Sequence, residues 1–378
     1  MPNGGDVVIV GGGVMGCASA LELAKAGAKV IVLERSVPGA EASSAAAGIL
    51  GAQVETAEAD PGFELARQSR ARYPAWAEQL KSATGIDIGY RQCGILRVAF
   101  DEESKTSIAR EVAWQEKAGL AVEKIEQGKL RALEPKLDPK TMFAVHFPDD
   151  GQVDPPRLLR ALYIAAAQAG ASFRSGTYVR AVAAEAGAVR GVVLEDGTRI
   201  ASDHVVLAAG SWSTLVEGVP LEPSAVRPVR GQMVELETRE PALKRVVFGP
   251  GAYLVPREDG RILVGSTMEF VGYRREVTAG AIRDLLGAAI ELVPTLSDAV
   301  LGRTWSNFRP YSERGRPLIG ASELRGLILA TGHHRNGILL APVTAEIVRA
   351  LALGEKPPFE VGTYATSSHM KKAAQSTT

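Results

Sequence analysis

Cysteine is almost missing. The 378 residues contain two, Cys17 and Cys93, far apart in the chain. That excludes a disulfide framework and leaves no thiolate metal cluster. Aromatic residues are scarce at 6%, and no aromatic-basic surface for nucleic acid stands out. Charge of one sign is also lacking: Lys+Arg and Asp+Glu are both 43, for a formal net charge of zero. Nothing in that balance calls for a nucleic-acid or membrane-surface partner. No apolar run is long enough to span a membrane. No Lys or Arg precedes the first apolar run, Val7 to Val10, so the start does not resemble a secretory signal and a cytoplasmic location is expected. There is no internal repeat, metal-ligand cluster or nucleophile elbow.

What is present is a globular composition, 46% hydrophobic and 23% charged, on a chain too long for one ordinary core. Glycine is abundant at 40 residues. Val7 to Val10 is a β-branched run suited to a strand buried on both faces. Gly11-Gly12-Gly13 breaks it. Residues 14–26 form a helix that Gly27 stops, and 29–33 form a second buried strand ending at Glu34. The segment 35–61 is a long Gly/Ala/Ser-rich loop, a kind that is often functional. Residues 62–84 predict one amphipathic helix burying Phe63, Ala66, Tyr73, Trp76 and Leu80. A strand at 93–100 and helices at 101–119 and 126–134 follow. Pro155-Pro156 opens a helix over 156–169. Further strands are expected near 177–186, 189–195 and 204–208, with an antiparallel sheet over 225–265. The chain closes with a helix near 278–292, a strand at 326–330 and a helix at 337–353.

This order predicts an α/β fold with a discontinuous dinucleotide-binding domain from 1–85, 147–225 and 310–365. A mostly antiparallel, substrate-binding α+β domain comes from 86–146 and 226–309. The polar tail, 366–378, is expected to be disordered.

Gly11-x-Gly13-x-x-Gly16 sits between a strand and a helix, and Glu34 ends the next strand 23 residues after Gly11. That is the full Rossmann context. Gly11 permits the tight turn, Gly13 lets a pyrophosphate approach the backbone, and Gly16 allows close helix–strand packing. Free N–H groups and the helix dipole attract phosphate, and Glu34 can accept from ribose hydroxyls. The cofactor is FAD or NAD. A single fingerprint, together with the small-residue strand ends at Val205–Gly210 and Leu327–Gly332, favours FAD, although both segments also suit plain core strands.

Five stretches carry a resemblance: Gly11 to Gly16, SSAAAGILGA from Ser43, YLVPR from Tyr253, Phe308-Arg309-Pro310, and GHHRNGILLAP from Gly332. Together they resemble the D-amino acid oxidase family of FAD-dependent amine oxidoreductases, and within it the glycine oxidases of thiamine biosynthesis. The resemblance runs from the first strand to about residue 360. It implies a p-hydroxybenzoate-hydroxylase-like architecture and non-covalent FAD. It also implies oxidation of glycine, sarcosine or small D-amino acids by O2 to a 2-oxo acid, ammonia or amine, and H2O2. By the same resemblance Val14, Met15, Glu34 and Arg35 meet the adenosine half, and Val179 the adenine. Ala42, Ser43, Ala47, Gly48 and Ile49 meet the pyrophosphate, ribityl chain and flavin. His333, His334, Arg335, Asn336, Gly337, Ile338 and Leu339 form the loop beside the flavin. Arg309, Arg335 and Tyr253 form the substrate site. On the residues themselves, Ser44 would bind cofactor oxygens, Ala46 belongs to the small-residue string beside the flat ring, and Gly210 ends a strand that would close over the cofactor. A homo-oligomer is implied by analogy alone. Ile49 stands where the pattern can carry Met, Gly251 where a His can occur, and Cys93 where a Gly can. The first two bear on substrate preference. Neither cysteine sits where the sarcosine oxidases of the family attach flavin covalently.

The residues themselves support this chemistry. A guanidinium matches a carboxylate's two oxygens, which makes Arg309 the carboxylate holder. Arg335 would touch substrate or the flavin C2/N1 region, or else form a structural ion pair. Tyr253 would hydrogen-bond the carboxylate or cap the pocket. His333 and His334 are expected to contribute backbone and not a base. Ser43 and Ser44 would bind cofactor oxygens or cap the short helix that follows. Trp305 is expected in the core, and Arg227, Arg230, Arg274 and Arg275 in solvent. Three alternatives remain: a dehydrogenase on the same fold using a non-oxygen acceptor, a flavin-binding module without catalysis, and an NAD-dependent dehydrogenase.

Overall fold

The computed structural model describes residues 6–359. The expected disordered tail lies outside the described residues. A six-stranded sheet is built in the order Leu318–Ala321, Leu327–Thr331, His204–Leu207, Val7–Val10, Val30–Leu33, Ser172–Arg174. All neighbours are parallel except the Leu318–Ala321 edge, which is antiparallel. The burial of Val7–Val10 and Val30–Leu33 is continuous, as a sheet covered on both faces requires. The helices Val14–Lys25, Pro155–Gln168 and Gly337–Ala352 pack on it and share its core.

A second sheet of eight strands runs Val300–Ser312, Val226–Glu237, Arg261–Gly265, Tyr253–Pro256, Val246–Phe248, Ile95–Ala99, Phe143–Phe147, Glu123–Glu126. It is antiparallel except where Val246–Phe248 meets Ile95–Ala99. The fold is therefore the expected α/β architecture, with a Rossmann-like sheet and a mostly antiparallel one. A three-stranded sheet, Val179–Glu185, Ala188–Leu194 and Arg199–Ala201, stands beside the first.

Several expectations give way here. The helix expected over 62–84 is two helices, Pro61–Arg70 and Tyr73–Thr84, with the five expected apolar positions all buried. Pro74, in the first turn of the second helix, cannot donate to the turn before it. The loop over 35–61 contains a short helix, Ala42–Ala45, and a two-residue strand, Ile49–Leu50, paired with Gly151–Gln152. Ser43 and Ser44 lie inside that helix and do not cap it. Residues 309 and 310, where a domain boundary was expected, are neighbours within the 13-residue strand Val300–Ser312. That strand pairs with Val226–Glu237 and sets Val229 opposite Arg309. Arg230 is not solvated. It is buried, it donates from Nε to Glu269 at 2.5 Å, and its Nη1 reaches the carbonyl of Glu276 at 3.0 Å.

Candidate active site

One continuous cavity runs from the head of the parallel sheet to the face of the antiparallel sheet. It encloses about 1690 Å³ of empty space, its open mouth included. Its first part is the glycine turn. Gly11 has φ +105°, and a Cβ there would lie 2.5 Å from the Ala208 carbonyl oxygen. A Cβ on Gly16 would lie 1.9 Å from the Gly11 carbonyl oxygen, so helix and strand meet only without side chains. Gly13 N-caps the helix with no side chain of its own, and the first helical turn carries no acidic residue. That leaves a helix end suited to a phosphate. Ser43 does act as a cap, on this helix and not its own: its Oγ accepts from the Val14 N–H at 2.9 Å.

Glu34 is buried, and its two oxygens accept the N–H groups of Gly12 and Ser36 at 2.8 Å each. The carboxylate is thus fixed by the turn, while still lining the cavity. Arg35 donates to Glu41 at 2.5 Å, and its guanidinium lies 3.8 Å from the Trp212 ring centroid. Cys17 is buried, its thiol donates to the Gly12 carbonyl, and burial pushes it up to about 12. Neither cysteine lines the cavity.

The middle wall is the Ala45–Gly48 stretch. Its carbonyls are held from outside: Trp305 Nε1 donates to Ala45 O at 3.0 Å, Arg257 Nη2 to Ala47 O at 2.6 Å, and Val153 N to Gly48 O at 2.9 Å. Only small groups are left facing inward. Gly48 has φ +79°, and a Cβ there would lie 2.1 Å from Val153 O. Trp305 is half-buried, serving as a brace for this wall.

At the far end Arg309 Nη1 donates to the Thr267 carbonyl at 3.1 Å, and Nη2 donates to Ser266 Oγ. Its guanidinium lies flat on Gly231, where a Cβ would come within 2.3 Å of Nη1. No carboxylate pairs with it among the described residues. Tyr253 donates from its hydroxyl to the same Ser266 Oγ at 3.1 Å. Arg335 has a side chain 54% exposed and stands 3.6 Å from Glu55.

The two histidines do more than lend backbone. His333 is buried, and its Nε2 pairs with Thr344 Oγ1 at 3.1 Å. His334 has φ +49° and sets its ring edge-on to Tyr311. Burial takes His333 well below its ordinary 6.5, to about 3. Burial, aided by Arg335 and Arg309, takes His334 to about 4. Both rings are neutral near pH 7. The unfolded His333 takes up its proton near 6.5 and the folded one only near 3, so acid favours the unfolded state between those values. The urea midpoint should be highest above pH ~6.5 and fall toward pH ~3, and His333→Gln should make that fall shallower. Equal slopes in variant and parent would remove His333 as the cause.

The cavity brings together Gly11, Gly13, Val14, Met15, Glu34, Arg35, Ala42, Ser43, Ala46–Ile49, Val179, Gly210, Tyr253, Arg309, His333–Arg335, Gly337 and Ile338. Gly16, Ser44, Asn336 and Leu339 do not line it. Gly16 acts through packing, and Leu339 is core. Ile49 lines the cavity and Gly251 does not; Gly251 has φ +77° and faces Ala288. Sequence reasoning gave no role to Gly231, Ser266, Arg257, Trp212 or Glu55. Arg257 and Gly231 are visible in sequence only as parts of strands, and the others sit in stretches without periodicity.

A Rossmann-type phosphate turn, continuous with a small-residue wall and a guanidinium over an antiparallel sheet, defines a flavin-dependent oxidoreductase for a small carboxylate. The site suits FAD on its own geometry: Gly11 and Gly16 admit no Cβ, Gly13 leaves the helix end bare where a pyrophosphate would approach, and the cavity is long. The chain belongs to the DAO family of FAD dependent oxidoreductases, whose model matches residues 6–351. It is 38% identical over 371 residues to the glycine oxidase of Geobacillus kaustophilus, covering 97% of this chain and 98% of that protein. The crystal structure of the Geobacillus kaustophilus glycine oxidase superimposes with a TM-score of 0.92 over 97% of this chain and 99% of that one, at 38% identity. The chain is also 40% identical over 363 residues to the bifunctional protein ThiO/ThiG of Synechocystis, covering 94% of this chain and 53% of that protein. Among the described residues no helix is long and apolar enough to cross a membrane, and no group of His, Cys, Asp and Glu could hold a metal ion.

Proposed function

We propose that this chain deaminates glycine oxidatively, along with sarcosine and small D-amino acids. The products are glyoxylate or another 2-oxo acid, ammonia or amine, and H2O2. One observation carries this reading: Arg309 is a half-buried guanidinium without a carboxylate partner among the described residues, in the same cavity as the phosphate turn. The likeness to the glycine oxidase of Geobacillus kaustophilus supports the choice of substrate. Bound in this cavity, FAD would supply the acceptor for a hydride from the substrate α-carbon.

The chain's own residues bind, orient and exclude water. Gly11, Gly13 and the first helical N–H groups hold the pyrophosphate. Val14, Met15, Glu34, Arg35 and Val179 hold the adenosine half, and Gly210, His333 to Arg335, Gly337 and Ile338 close over the cofactor. Ala42, Ser43 and Ala46 to Ile49 line its ribityl and flavin part, where backbone without side chains keeps water from a flat ring. Arg309 takes the substrate carboxylate. Ser266, bonded to both Arg309 and the Tyr253 hydroxyl, keeps these two groups in one geometry. Fixing the carboxylate this way orients the α-carbon, so that orientation replaces acid–base work. Burial lowers His333 to about 3 and His334 to about 4, which makes both rings weak bases, and neither is assigned a proton to take. We assign residues 1–85, 147–225 and the chain beyond the strand Val300–Ser312 to cofactor binding, and 86–146 and 226–312 to substrate binding. O2 as the acceptor and a homo-oligomeric state belong to the same proposal.

Purified protein turned over with glycine, sarcosine and D-alanine under a peroxide-coupled assay should release H2O2. Flavin reduction by these amines with negligible reoxidation in air would instead make the chain a dehydrogenase.

A further inference from the structure

The substrate end holds one group that neither cofactor nor carboxylate binding uses. Glu55 lines the cavity, with its side chain 15% exposed and its Oε2 3.6 Å from Arg335 Nε. That Oε2 is buried without a hydrogen-bond partner. Leaving a carboxylate so is costly, and a glutamine fills the same space without the charge.

Glu55 is held in place from behind. Asp150, fully buried, accepts the Gln53 N–H at 3.1 Å and the Val54 N–H at 2.9 Å. Arg70 closes on the same carboxylate. Gln115 donates to the carbonyls of Gln53 and Thr56 at 3.0 and 3.1 Å. The turn on both sides of Glu55 is therefore clamped, which fixes where its carboxylate enters the wall.

The charges at this end then count simply. Arg309 faces the cavity with no acidic partner among the described residues. Arg335 faces it with Glu55 beside it. One guanidinium is free for one carboxylate, and the other is already neutralised.

We propose that Glu55 is a specificity-determining residue that restricts the site to amino acids bearing a single negative group. It cancels the charge of Arg335 and repels a second carboxylate that would reach for it. Discrimination of this kind comes from a built-in repulsive element and not from an added contact. The inference rests on Arg309 as the holder of the first carboxylate.

The test uses flavin-loaded protein and ligands that cannot be oxidised: acetate, with one carboxylate, and diglycolate, with two. Each is titrated while the flavin absorbance perturbation is followed, giving a Kd. Removing a charge a few ångströms from the second carboxylate should shift the diglycolate-to-acetate affinity ratio by ~10-fold or more toward diglycolate in Glu55→Gln. Adding Arg335→Gln to that variant should abolish the shift, because the released cation is gone. Arg335→Gln alone, at a side chain more than half exposed, should move the ratio the opposite way, and it tests the idea whether or not Glu55→Gln folds. An unchanged ratio in these variants, with acetate still bound by the parent, overturns the role of Glu55 alone. Failure of the parent to bind either anion overturns the carboxylate site at Arg309, and the Glu55 inference with it.

Discussion

Arg309→Ala should raise the apparent substrate constant steeply while the protein remains yellow. The guanidinium is half-buried, bonded to Ser266 and Thr267, and has no carboxylate partner among the described residues. Truncating one partner of a desolvated charge pair costs about 2–5 kcal/mol, so the constant should rise roughly 30-fold or more. Lysine should restore little, since a point charge cannot match two oxygens at once. Gly231 gives an independent check. A Cβ there would come within 2.3 Å of Arg309 Nη1, so Gly231→Val should produce the same kind of defect with the arginine still present. Steady-state kinetics separate the outcomes: a substrate constant unchanged in Arg309→Ala takes this residue out of the site.

Gly13→Leu should give folded protein without FAD. A Cβ on Gly13 meets only Ser43 Oγ, at 3.1 Å, so the fold has room for the first atom. The rest of a leucine would fill the mouth of the helix end, where a pyrophosphate would lie. Gly16→Ala is the contrasting case. Its Cβ would sit 1.9 Å from the Gly11 backbone, so the strand and helix themselves must part and stability should drop. The absorbance ratio of flavin to protein, read beside a thermal melt, distinguishes the two. Full flavin occupancy in folded Gly13→Leu would count against the turn as the phosphate site.

Much of this was legible in the chain. The β-branched runs Val7–Val10 and Val30–Leu33, with Gly11, Gly13 and Gly16 between them, announce a parallel sheet and a phosphate turn because both features are local. The five apolar positions over 62–84 were also legible, since burial follows periodicity even where the helix breaks. The break was not, because Ala71 and Arg72 suit a helix and only Pro74 signals otherwise.

The long strand Val300–Ser312 leaves little signal in the sequence for a physical reason. It carries Gly302, Arg303, Asn307, Arg309 and Pro310, and its burial is irregular. Its strand character comes from pairing with Val226–Glu237 and not from its own residues. Arg230 was misplaced for a related reason: its ion pair with Glu269 comes from a segment 39 residues away. The carbonyl braces at Ala45, Ala47 and Gly48 come from Trp305, Arg257 and Val153. The turn bearing Glu55 is clamped by Asp150, 96 residues from Val54. Such contacts are made by the tertiary fold and leave no local signal. What the sequence could supply was the identity of the backbone-dominated wall, SSAAAG, since small residues are themselves the feature.

The central claim is that this cavity holds FAD and a small amino acid together, with the carboxylate on Arg309. The most direct measurement is an anaerobic titration of the purified protein with glycine, recording the visible absorbance band of the oxidised flavin. The account predicts bleaching by glycine in the parent, and bleaching displaced to much higher glycine in Arg309→Ala. A flavin that stays oxidised in the parent with glycine, sarcosine and D-alanine alike would contradict it.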